Sequence, residues 1–275
     1  MLVTTSHSPS PESVTRSKQI AAQLGWRWVP RGGKSVNKLA QSYRVTQLLL
    51  QADDQLKLYT DLIMEPSDSR SEANPNLSAE PTPMFFHPSL SFVRVKRLMR
   101  GEGDALIECS GAEPGDIVLD CTAGLASDSI VFSHVVGPEG RVTAIESEPA
   151  LHMLIREGLS HYETHLESFN DTMRRIEVKL ADHTRELEKL PDRSVDIVYF
   201  DPMFRSPIED SSAIQPLRRL ANHKALSEHA IEQARRVARK RIVLKEHRDG
   251  DEFNRLGFER LFRSGTKIAY GVIHI

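Results

Sequence analysis

Residues 201–204 combine groups that suit a planar ring bearing an amine. Asp201 supplies a carboxylate, Pro202 a carbonyl beside a nitrogen that carries no hydrogen, and Phe204 an aromatic face. The carboxylate and the carbonyl accept the two hydrogens of an exocyclic amine while the ring stacks on Phe204. An amine held in this way is a better nucleophile toward an electrophilic carbon. An Asp-Pro turn after a strand is the structural alternative, which the surrounding pattern outweighs.

Acidic residues lie at or just after the ends of four predicted strands. They are Asp120, Glu146, Asp182 and Asp201. Because the carboxyl ends of parallel strands meet at one edge of a sheet, we expect these carboxylates to gather along a single rim. An acid that ends the second strand accepts hydrogen bonds from both hydroxyls of a ribose. The pattern therefore predicts a nucleoside ligand.

The turn after the first of these strands limits the kind of nucleoside. Residues 120–126 read Asp-Cys-Thr-Ala-Gly-Leu-Ala, and small side chains there let the backbone approach a ligand. The glycine spacing that brings backbone onto a pyrophosphate is missing, and Asp120 would repel that group. A nicotinamide dinucleotide is therefore disfavoured, whereas S-adenosyl-L-methionine (SAM), with its sulfonium and ammonium groups, fits. A tight strand-to-helix connection without a ligand is the alternative.

A regular alternation of strands and helices positions these residues. The predicted strands of this region are 117–120, 141–145, 176–180, 195–200, 241–244, 258–262 and 268–275. Five alternations of strand and helix followed by a closing hairpin predict an α/β fold. We expect a Rossmann-like, doubly wound seven-stranded sheet with an antiparallel C-terminal edge strand.

The chain divides by composition into two domains and a connection. Residues 1–64 predict a small α+β unit, residues 65–83 a flexible linker, and residues 84–275 the larger domain. Arg-Gly-Gly-Lys-Ser at 31–35 is similar to a phosphate-binding loop. Trp28 stands where that loop needs glycine, so we interpret the stretch as a basic loop.

Composition excludes several functional classes. The net charge of −2 over 275 residues indicates no polyanionic partner unless a local basic face exists. The candidates for such a face are Arg94, Lys96, Arg97 and Arg100, with a solvated helix face as the more favoured account. Two cysteines, no apolar run of transmembrane length and no leader pattern predict a cytoplasmic protein without membrane contact.

Histidines and cations elsewhere carry weaker signals. His161 and His165 have the spacing of helical metal ligands, but no third ligand is evident, so no metal is expected. A basic cluster at residues 235–241 is interpreted as the end of a helix, where cations favour the macrodipole.

Motifs spread over residues 84–275 together resemble one enzyme class. They are Asp-Cys-Thr-Ala-Gly-Leu-Ala-Ser-Asp at 120–128, Glu146-Ser147, Asp182-His183, Val-Tyr-Phe-Asp-Pro-Met-Phe at 198–204 and Arg-Ile-Val-Leu-Lys at 241–245. This region resembles a class I SAM-dependent methyltransferase. Within that class it is most similar to the small-subunit ribosomal RNA guanine-N2 methyltransferase J family and its uncharacterised Gram-positive relatives.

The resemblance implies a role for each matched residue. It places Ser127 and Asp128 near the methionine end of the cofactor, Glu146 at the ribose, and Asp182 with His183 at the adenine. The full implied cofactor site is Asp120, Thr122, Gly124, Ala126, Ser127, Asp128, Glu146, Ser147, Asp182, His183 and Asp201. The implied catalytic residues are Asp201, Pro202 and Phe204, and the implied substrate contacts are Met203, Arg205 and Lys245.

The acceptor is less constrained than the cofactor. The resembling family commonly has Gly and Arg where this chain has Ala126 and Ser127, and residues 205–224 and the N-terminal 80 match less clearly. The first hypothesis is methyl transfer to a guanine exocyclic amine in small-subunit ribosomal RNA, free or in a ribosomal particle. The alternatives are a protein carboxylate or small-molecule acceptor, and a non-catalytic SAM-binding RNA or assembly factor. An intact Asp201 and Phe204 count against the last.

Overall fold

The computed structural model describes residues 1–60, 62, 82–202, 225–261 and 267–275. It contains two compact units, Met1–Phe86 and His87–Ile275. The boundaries inferred from composition, at residues 64 and 84, stay a prediction. Most of the predicted linker lies outside the described residues, as do Met203, Phe204 and Arg205.

The first unit is built around a five-stranded sheet. Its strands are β1 (Leu2–Thr5), β2 (Arg27–Trp28), β3 (Leu48–Gln51), β4 (Leu56–Tyr59) and β5 (Met84–Phe85), in the order β2-β1-β3-β4-β5. Its helices are α1 (Pro11–Leu24) and α2 (Val36–Tyr43). Strand β1 is parallel to both β2 and β3, whereas β3, β4 and β5 form an antiparallel meander.

Local sequence signals set the helix limits in this unit. Ser10 caps α1 by accepting a hydrogen bond from the Ser13 amide, and Gly25 ends the helix with a φ of 65°. The basic loop 31–35 ends in Ser35, which caps α2 through the Lys38 amide. The serine of the apparent phosphate-loop motif therefore caps a helix.

The second unit is the predicted α/β domain. Its helices are α3 (Ser89–Met99), α4 (Ala105–Ser110), α5 (Ser127–Val136), α6 (Pro149–His161), α7 (Glu167–Arg174), α8 (His183–Lys189), α9 (Glu228–Val237) and α10 (Glu252–Leu256). Its strands are β6 (Ile117–Asp120), β7 (Arg141–Glu146), β8 (Ile176–Leu180), β9 (Val195–Phe200), β10 (Ala238–His247), β11 (Glu259–Leu261) and β12 (Ile268–His274). The order β11-β12-β10-β9-β6-β7-β8 confirms the doubly wound seven-stranded sheet.

The sheet is parallel from β8 to β10 and antiparallel at its C-terminal edge. Strands β6, β7, β8, β9 and β10 pair in parallel, and β12 pairs antiparallel with both β10 and β11. Val118, Ile197 and Val198 are completely buried, as expected where helices cover both faces of a sheet. No helix within the described ranges is long and apolar enough to span a bilayer.

Two sequence interpretations in this unit are wrong. The basic cluster at 235–241 is not all on a helix end, because α9 stops at Val237 and β10 begins at Ala238, earlier than predicted. Arg239 and Lys240 lie on the strand and pair with Asp196 and with Glu113 and Asp116, respectively. Pairing with β9 and contacts with three acids thus place in a strand two residues that the sequence alone assigns to the helix end.

The proposed helical spacing of His161 and His165 is the second error. Helix α6 ends at His161, whose Nδ1 lies 3.0 Å from the Glu157 carbonyl oxygen. His165 follows the helix, and its ring meets Phe92 edge-on at 5.4 Å between centroids. Across the described residues, no group of three His, Cys, Asp or Glu side chains forms a candidate metal site.

Candidate active site

The carboxyl ends of β9, β6 and β7 lie side by side in the sheet and bring together Asp201, Asp120 and Glu146. The chain leaves β6 toward β7 on one side, while β9 joins β6 from the other. A crevice forms where the strand order reverses in this way, and ligands of open α/β sheets bind there. The predicted gathering of carboxylates at one rim agrees with this topology.

Asp120 organises the turn that follows β6. Its side chain is 1% exposed. One carboxylate oxygen accepts the Thr122 amide at 3.0 Å, and the other accepts the Ser129 hydroxyl at 2.5 Å. Burial raises the pKa of Asp120 to about 7. Both oxygens are therefore engaged by the turn and by the first residues of α5.

Thr122 links this turn to the proposed catalytic strand end. Its hydroxyl oxygen accepts the backbone N–H of Asp201 at 2.5 Å, across 79 residues of sequence. The hydrogen bond fixes the backbone of Asp201 against the β6 turn. A residue implied only as a cofactor contact thus also positions the proposed catalytic acid.

The same turn contains two residues in the left-handed conformation, Gly124 with a φ of 54° and Ala126 with a φ of 59°. Glycine adopts this conformation without steric cost, whereas Ala126 adopts it against the usual preference of an L side chain. Ala126 precedes α5 and makes no side-chain cap, so no side chain at that position takes the first amides of the helix. Those amides can receive the acceptor groups of a ligand.

Glu146 ends β7 as a carboxylate held by backbone amides. The Glu148 amide donates to it at 2.8 Å, and the amides of Ser147 and Gly124 also face it. Burial raises the pKa of Glu146 to about 7, against the effect of these amides. Within the described part of the chain no cationic side chain pairs with it. Such a carboxylate suits neutral donors, of which a ribose diol is one.

Asp182 and His183 lie at the start of α8, beyond the end of β8. The Asp182 carboxylate accepts the Arg185 amide at 3.1 Å and so caps the helix. The His183 ring meets Phe200 edge-on at 5.8 Å. Burial lowers the pKa of His183, so its imidazole is neutral at pH 7 and offers an apolar flank to a flat ligand.

A partly buried ionic cluster extends from the rim into the domain. It consists of Arg94, Asp128, Tyr199, Asp201 and Lys245, and we call it the Asp128 cluster. Asp128 accepts from Arg94 at 2.5 Å, from the Tyr199 hydroxyl at 2.7 Å and from Lys245 at 2.9 Å. Lys245 also donates to Asp201 at 2.7 Å.

The cluster distributes charge unevenly between its two acids. Burial alone would raise the pKa of Asp128, but Lys245 and Arg94 outweigh it and hold that pKa below its ordinary value. Burial raises the pKa of Asp201, and the Asp128 carboxylate adds to this effect while Lys245 opposes it. Asp128 is therefore the permanent anion, and Asp201 is the acid that accepts a proton more readily.

Arg94 extends the cluster to a further element. Its guanidinium forms two parallel hydrogen bonds with Asp104, both at 2.8 Å, and Asp104 caps α4 through the Leu106 amide. One cation thus joins α3, α4 and α5. The candidate nucleic-acid contact at Arg94 is instead an internal ion pair, and Arg97 and Arg100 pair with Glu102.

Sequence reasoning missed Tyr199, Ser129 and Asp104 as members of the site. The tyrosine lies inside a strand of otherwise mostly apolar residues, and its hydroxyl donates to Asp128, which is 71 residues away in sequence. Lys245, implied as a substrate contact, is directed at two carboxylates and is 18% exposed. Its role toward substrate stays a prediction.

The donors and acceptors of this rim fit SAM. Glu146 offers a carboxylate that no cation of the described residues pairs with, and α5 offers amides that Ala126 does not cap. When bound, SAM supplies a methyl group made electrophilic by the adjacent sulfonium.

Comparisons with known proteins point to the same cofactor. The family model described as "Putative SAM-dependent methyltransferase" matches residues 79–256. The "Uncharacterized protein YpiP" of Bacillus subtilis is 38% identical over 272 residues, which cover 99% of this chain and 98% of that protein. The "Ribosomal RNA small subunit methyltransferase J" of Actinobacillus succinogenes is 30% identical over 152 residues, covering 53% of this chain and 57% of that protein.

A solved structure shows the same fold. The crystal structure of a SAM-dependent methyltransferase from Neisseria gonorrhoeae matches with a TM-score of 0.63 at 18% identity, covering 100% of this chain and 96% of that chain. The family model spans well over half of the present sequence. The chain therefore belongs to the SAM-dependent methyltransferases, in the class I fold, and S-adenosyl-L-methionine is its cofactor.

Proposed function

We propose that the chain transfers the methyl group of SAM to the exocyclic amine of a guanine in small-subunit ribosomal RNA. The observation that carries this proposal is the state of Asp201. Its Oδ2 is held by Lys245 at 2.7 Å, whereas its Oδ1 has no partner among the described residues. That oxygen and the carbonyl of Pro202, both at the end of β9, are the acceptors that an amine with two hydrogens requires.

The chain contributes positioning and electrostatics. Glu146 holds the ribose hydroxyls, and Asp201 with Pro202 accepts the two amine hydrogens, so that the nitrogen lone pair is directed at the methyl carbon. Bound SAM would supply the methyl group, and the electron pair of the carbon–sulfur bond would remain on sulfur. The surplus proton on nitrogen then passes to Asp201, whose raised pKa suits it to receive that proton.

The other residues matched by the resemblance contact either the cofactor or the substrate in this proposal. The proposed cofactor contacts are Asp120, Thr122, Gly124, Ala126, Ser127, Asp128, Glu146, Ser147, Asp182, His183 and Asp201. The proposed substrate contacts are Met203, Arg205 and Lys245, and Phe204 is proposed to stack on the base. A guanine must be unpaired or rotated out of its helix to reach these groups.

The acceptor is supported by relatives. The Actinobacillus succinogenes protein and a Buchnera aphidicola protein, 27% identical over 175 residues, are both named as small-subunit ribosomal RNA methyltransferases. Each match covers roughly two thirds of this chain or less. The chemistry at Asp201 agrees with a base amine as acceptor.

The decisive experiment measures methyl transfer from labelled SAM to RNA and to ribosomal particles from a strain that lacks this protein. Asp201→Asn keeps the size of the side chain but removes its charge, and we expect at least a hundredfold loss of transfer with SAM still bound. Asp192→Asn is the matched control, since that acid precedes the same strand at its opposite end and is 75% exposed.

Label in the small-subunit RNA with wild type and the Asp192 variant only would support the proposal and allow the base to be mapped. Tight SAM binding without label in any RNA would refute it, and protein and small-molecule acceptors would be tested next.

A further inference from the structure

Positive charge is concentrated in the first 60 residues. They contain eight Lys and Arg but three Asp and Glu, a net charge of +5, whereas the whole chain carries −2. The near-neutral total therefore conceals a basic N-terminal segment. A local basic region of this kind is the electrostatic feature that attracts a polyanion.

Five cations of this segment are exposed and lack a carboxylate partner within the described residues. They are Lys18, Arg27, Lys34, Lys38 and Arg44. In the second unit, by contrast, exposed cations such as Arg97, Arg100 and Lys189 are paired with acids. Counter-charges within the chain thus neutralise many cations of the second unit and leave these five available.

Three of the five exposed cations, Lys18, Arg27 and Lys34, lie on or next to the edge strand β2 of the small sheet. Strand β2 pairs only with β1 in the described sheet, and successive side chains of a strand point to opposite faces. Arg27 lies 4.9 Å from the centroid of the Tyr43 ring on α2, and Lys18 of α1 lies 4.9 Å from the Trp28 ring. Cations therefore flank both faces of this strand.

Lys34 adds a third cation in the loop that follows β2, and both of the neighbouring rings are half-buried. We define the β2 edge surface as Lys18, Arg27, Trp28, Lys34 and Tyr43. Asp53 forms no ion pair with these cations within the described residues, and its carboxylate accepts hydrogen bonds from the Ser10 amide and the Ser13 hydroxyl at the start of α1.

We propose that the β2 edge surface binds the sugar-phosphate backbone of the substrate RNA, an inference that rests on the proposed function above. Unpaired Lys and Arg side chains neutralise phosphates and release their counterions, which supplies affinity without regard to sequence. Half-buried aromatic rings next to cations are the further feature of surfaces that bind single-stranded RNA. The N-terminal unit thus retains the RNA whose base the second unit methylates.

The test compares two triple variants of the full chain. Lys18→Gln/Arg27→Gln/Lys34→Gln removes three charges from the β2 edge surface. The matched control, Arg141→Gln/Lys189→Gln/Arg235→Gln, removes three exposed charges near the amino ends of the parallel strands of the second unit. Thermal midpoints and SAM affinity verify that both variants are folded.

RNA affinity is measured for small-subunit ribosomal RNA fragments between about 0.05 and 0.3 M salt. We expect the surface variant to bind at least about tenfold more weakly at 0.1 M salt, and its plot of log K against log salt to be shallower by about 2–3. The control should stay within about twofold of wild type. KM for RNA should rise while the rate at saturating RNA changes little.

The outcomes separate this inference from the function on which it rests. If the two variants bind RNA with equal affinity and equal salt dependence while wild type still methylates RNA, the β2 edge surface does not bind RNA. The proposed function would then remain intact. Wild type that neither binds nor methylates RNA would refute both. A loss confined to protein-containing ribosomal particles, with binding to free RNA unchanged, would assign the surface to a ribosomal protein and overturn its role toward RNA.

Discussion

Lys245 places its ammonium nitrogen 2.7 Å from the Oδ2 atom of Asp201, and the same nitrogen lies 2.9 Å from Oδ2 of Asp128. The lysine therefore both orients the proposed catalytic acid and opposes the protonation that burial and the second acid favour. Activity should depend on this lysine through the charge of Asp201, even if the lysine never touches a substrate.

Replacing Lys245 with Met should reduce methyl transfer and shift its pH dependence. Without the ammonium group the pKa of Asp201 rises further, so a larger fraction of the acid is protonated at pH 7. We expect a lower kcat than that of wild type at pH 7 and recovery as the pH rises, since activity returns as Asp201 ionises. Rates measured from pH 6 to pH 9 test this.

Lys240→Met is the matched control for that variant. Lys240 lies on the same strand and also bridges two acids, Glu113 at 3.0 Å and Asp116 at 2.7 Å, but near its other end. Its loss should leave the pH profile unchanged. A profile that shifts equally in both variants would contradict the role of Lys245.

Cofactor binding should release a proton at neutral pH. Glu146 has a pKa of about 7 without ligand, and hydrogen bonds from ribose hydroxyls favour its ionised form, so binding lowers that pKa. Affinity should therefore rise about tenfold between pH 6 and pH 8. Titration calorimetry in buffers of different ionisation enthalpy measures the released proton.

Glu146→Gln should abolish this proton release and weaken cofactor binding by about 1.5–3 kcal/mol, the usual contribution of hydrogen bonds to a charged group. Glu148→Gln, two residues away, serves as control and should retain the release. Unchanged cofactor affinity in the Glu146 variant would refute the placement of the ribose.

The same variant should stabilise the cofactor-free protein at high pH. The folded-state pKa of Glu146 is raised, so the folded state binds more protons than the unfolded state between about pH 4.5 and pH 7, and stability is lost as pH rises through that range. Glu146→Gln removes this loss. Its unfolding free energy should exceed that of wild type by on the order of 3 kcal/mol at pH 8 and match it near pH 4. Denaturant titrations at the two pH values measure both free energies. Equal stability of the variant and wild type at pH 8 would contradict the prediction.

Arg94 should matter far more for stability than its neighbour Arg97. Arg94→Met leaves Asp104 without its bidentate partner and Asp128 with one cation instead of two, and we expect a loss of about 3 kcal/mol in unfolding free energy. Arg97→Met, on the same helix, breaks a pair whose two side chains are 52% and 41% exposed, and should have almost no effect. Urea unfolding of the two variants would contradict this assignment if their losses were equal.

The sequence was informative where the signal is local. Caps at Ser10 and Ser227 and the glycine at position 25 set helix limits, and apolar runs that end in acids identified strands β6, β7 and β9 together with Asp120, Glu146 and Asp201. The chain order of these strands, together with the rule for parallel sheets, is sufficient to place their ends at one rim.

The side chains that pair with the acids of the site could not be predicted from local sequence signals. Arg94 and Tyr199 are 34 and 71 residues away from Asp128, and a lone arginine on a helix or a tyrosine inside an apolar strand carries no signal of its contact. The start of β10 was missed for a similar reason, because Arg239 and Lys240 suit a helix end equally well until Asp196, Glu113 and Asp116 are seen beside them.

The sequence separations in the Asp128 cluster also constrain when the site can form during synthesis. Lys245 and Asp128 are 117 residues apart, so a growing chain that ends just after β9 contains β6, α5 and Arg94 but lacks the second cation beside Asp128. A buried carboxylate that lacks one of its cationic partners disfavours the compact state. We therefore expect the Asp128 cluster to be completed only late in synthesis, when β10 pairs with β9 and brings Lys245 beside Asp128.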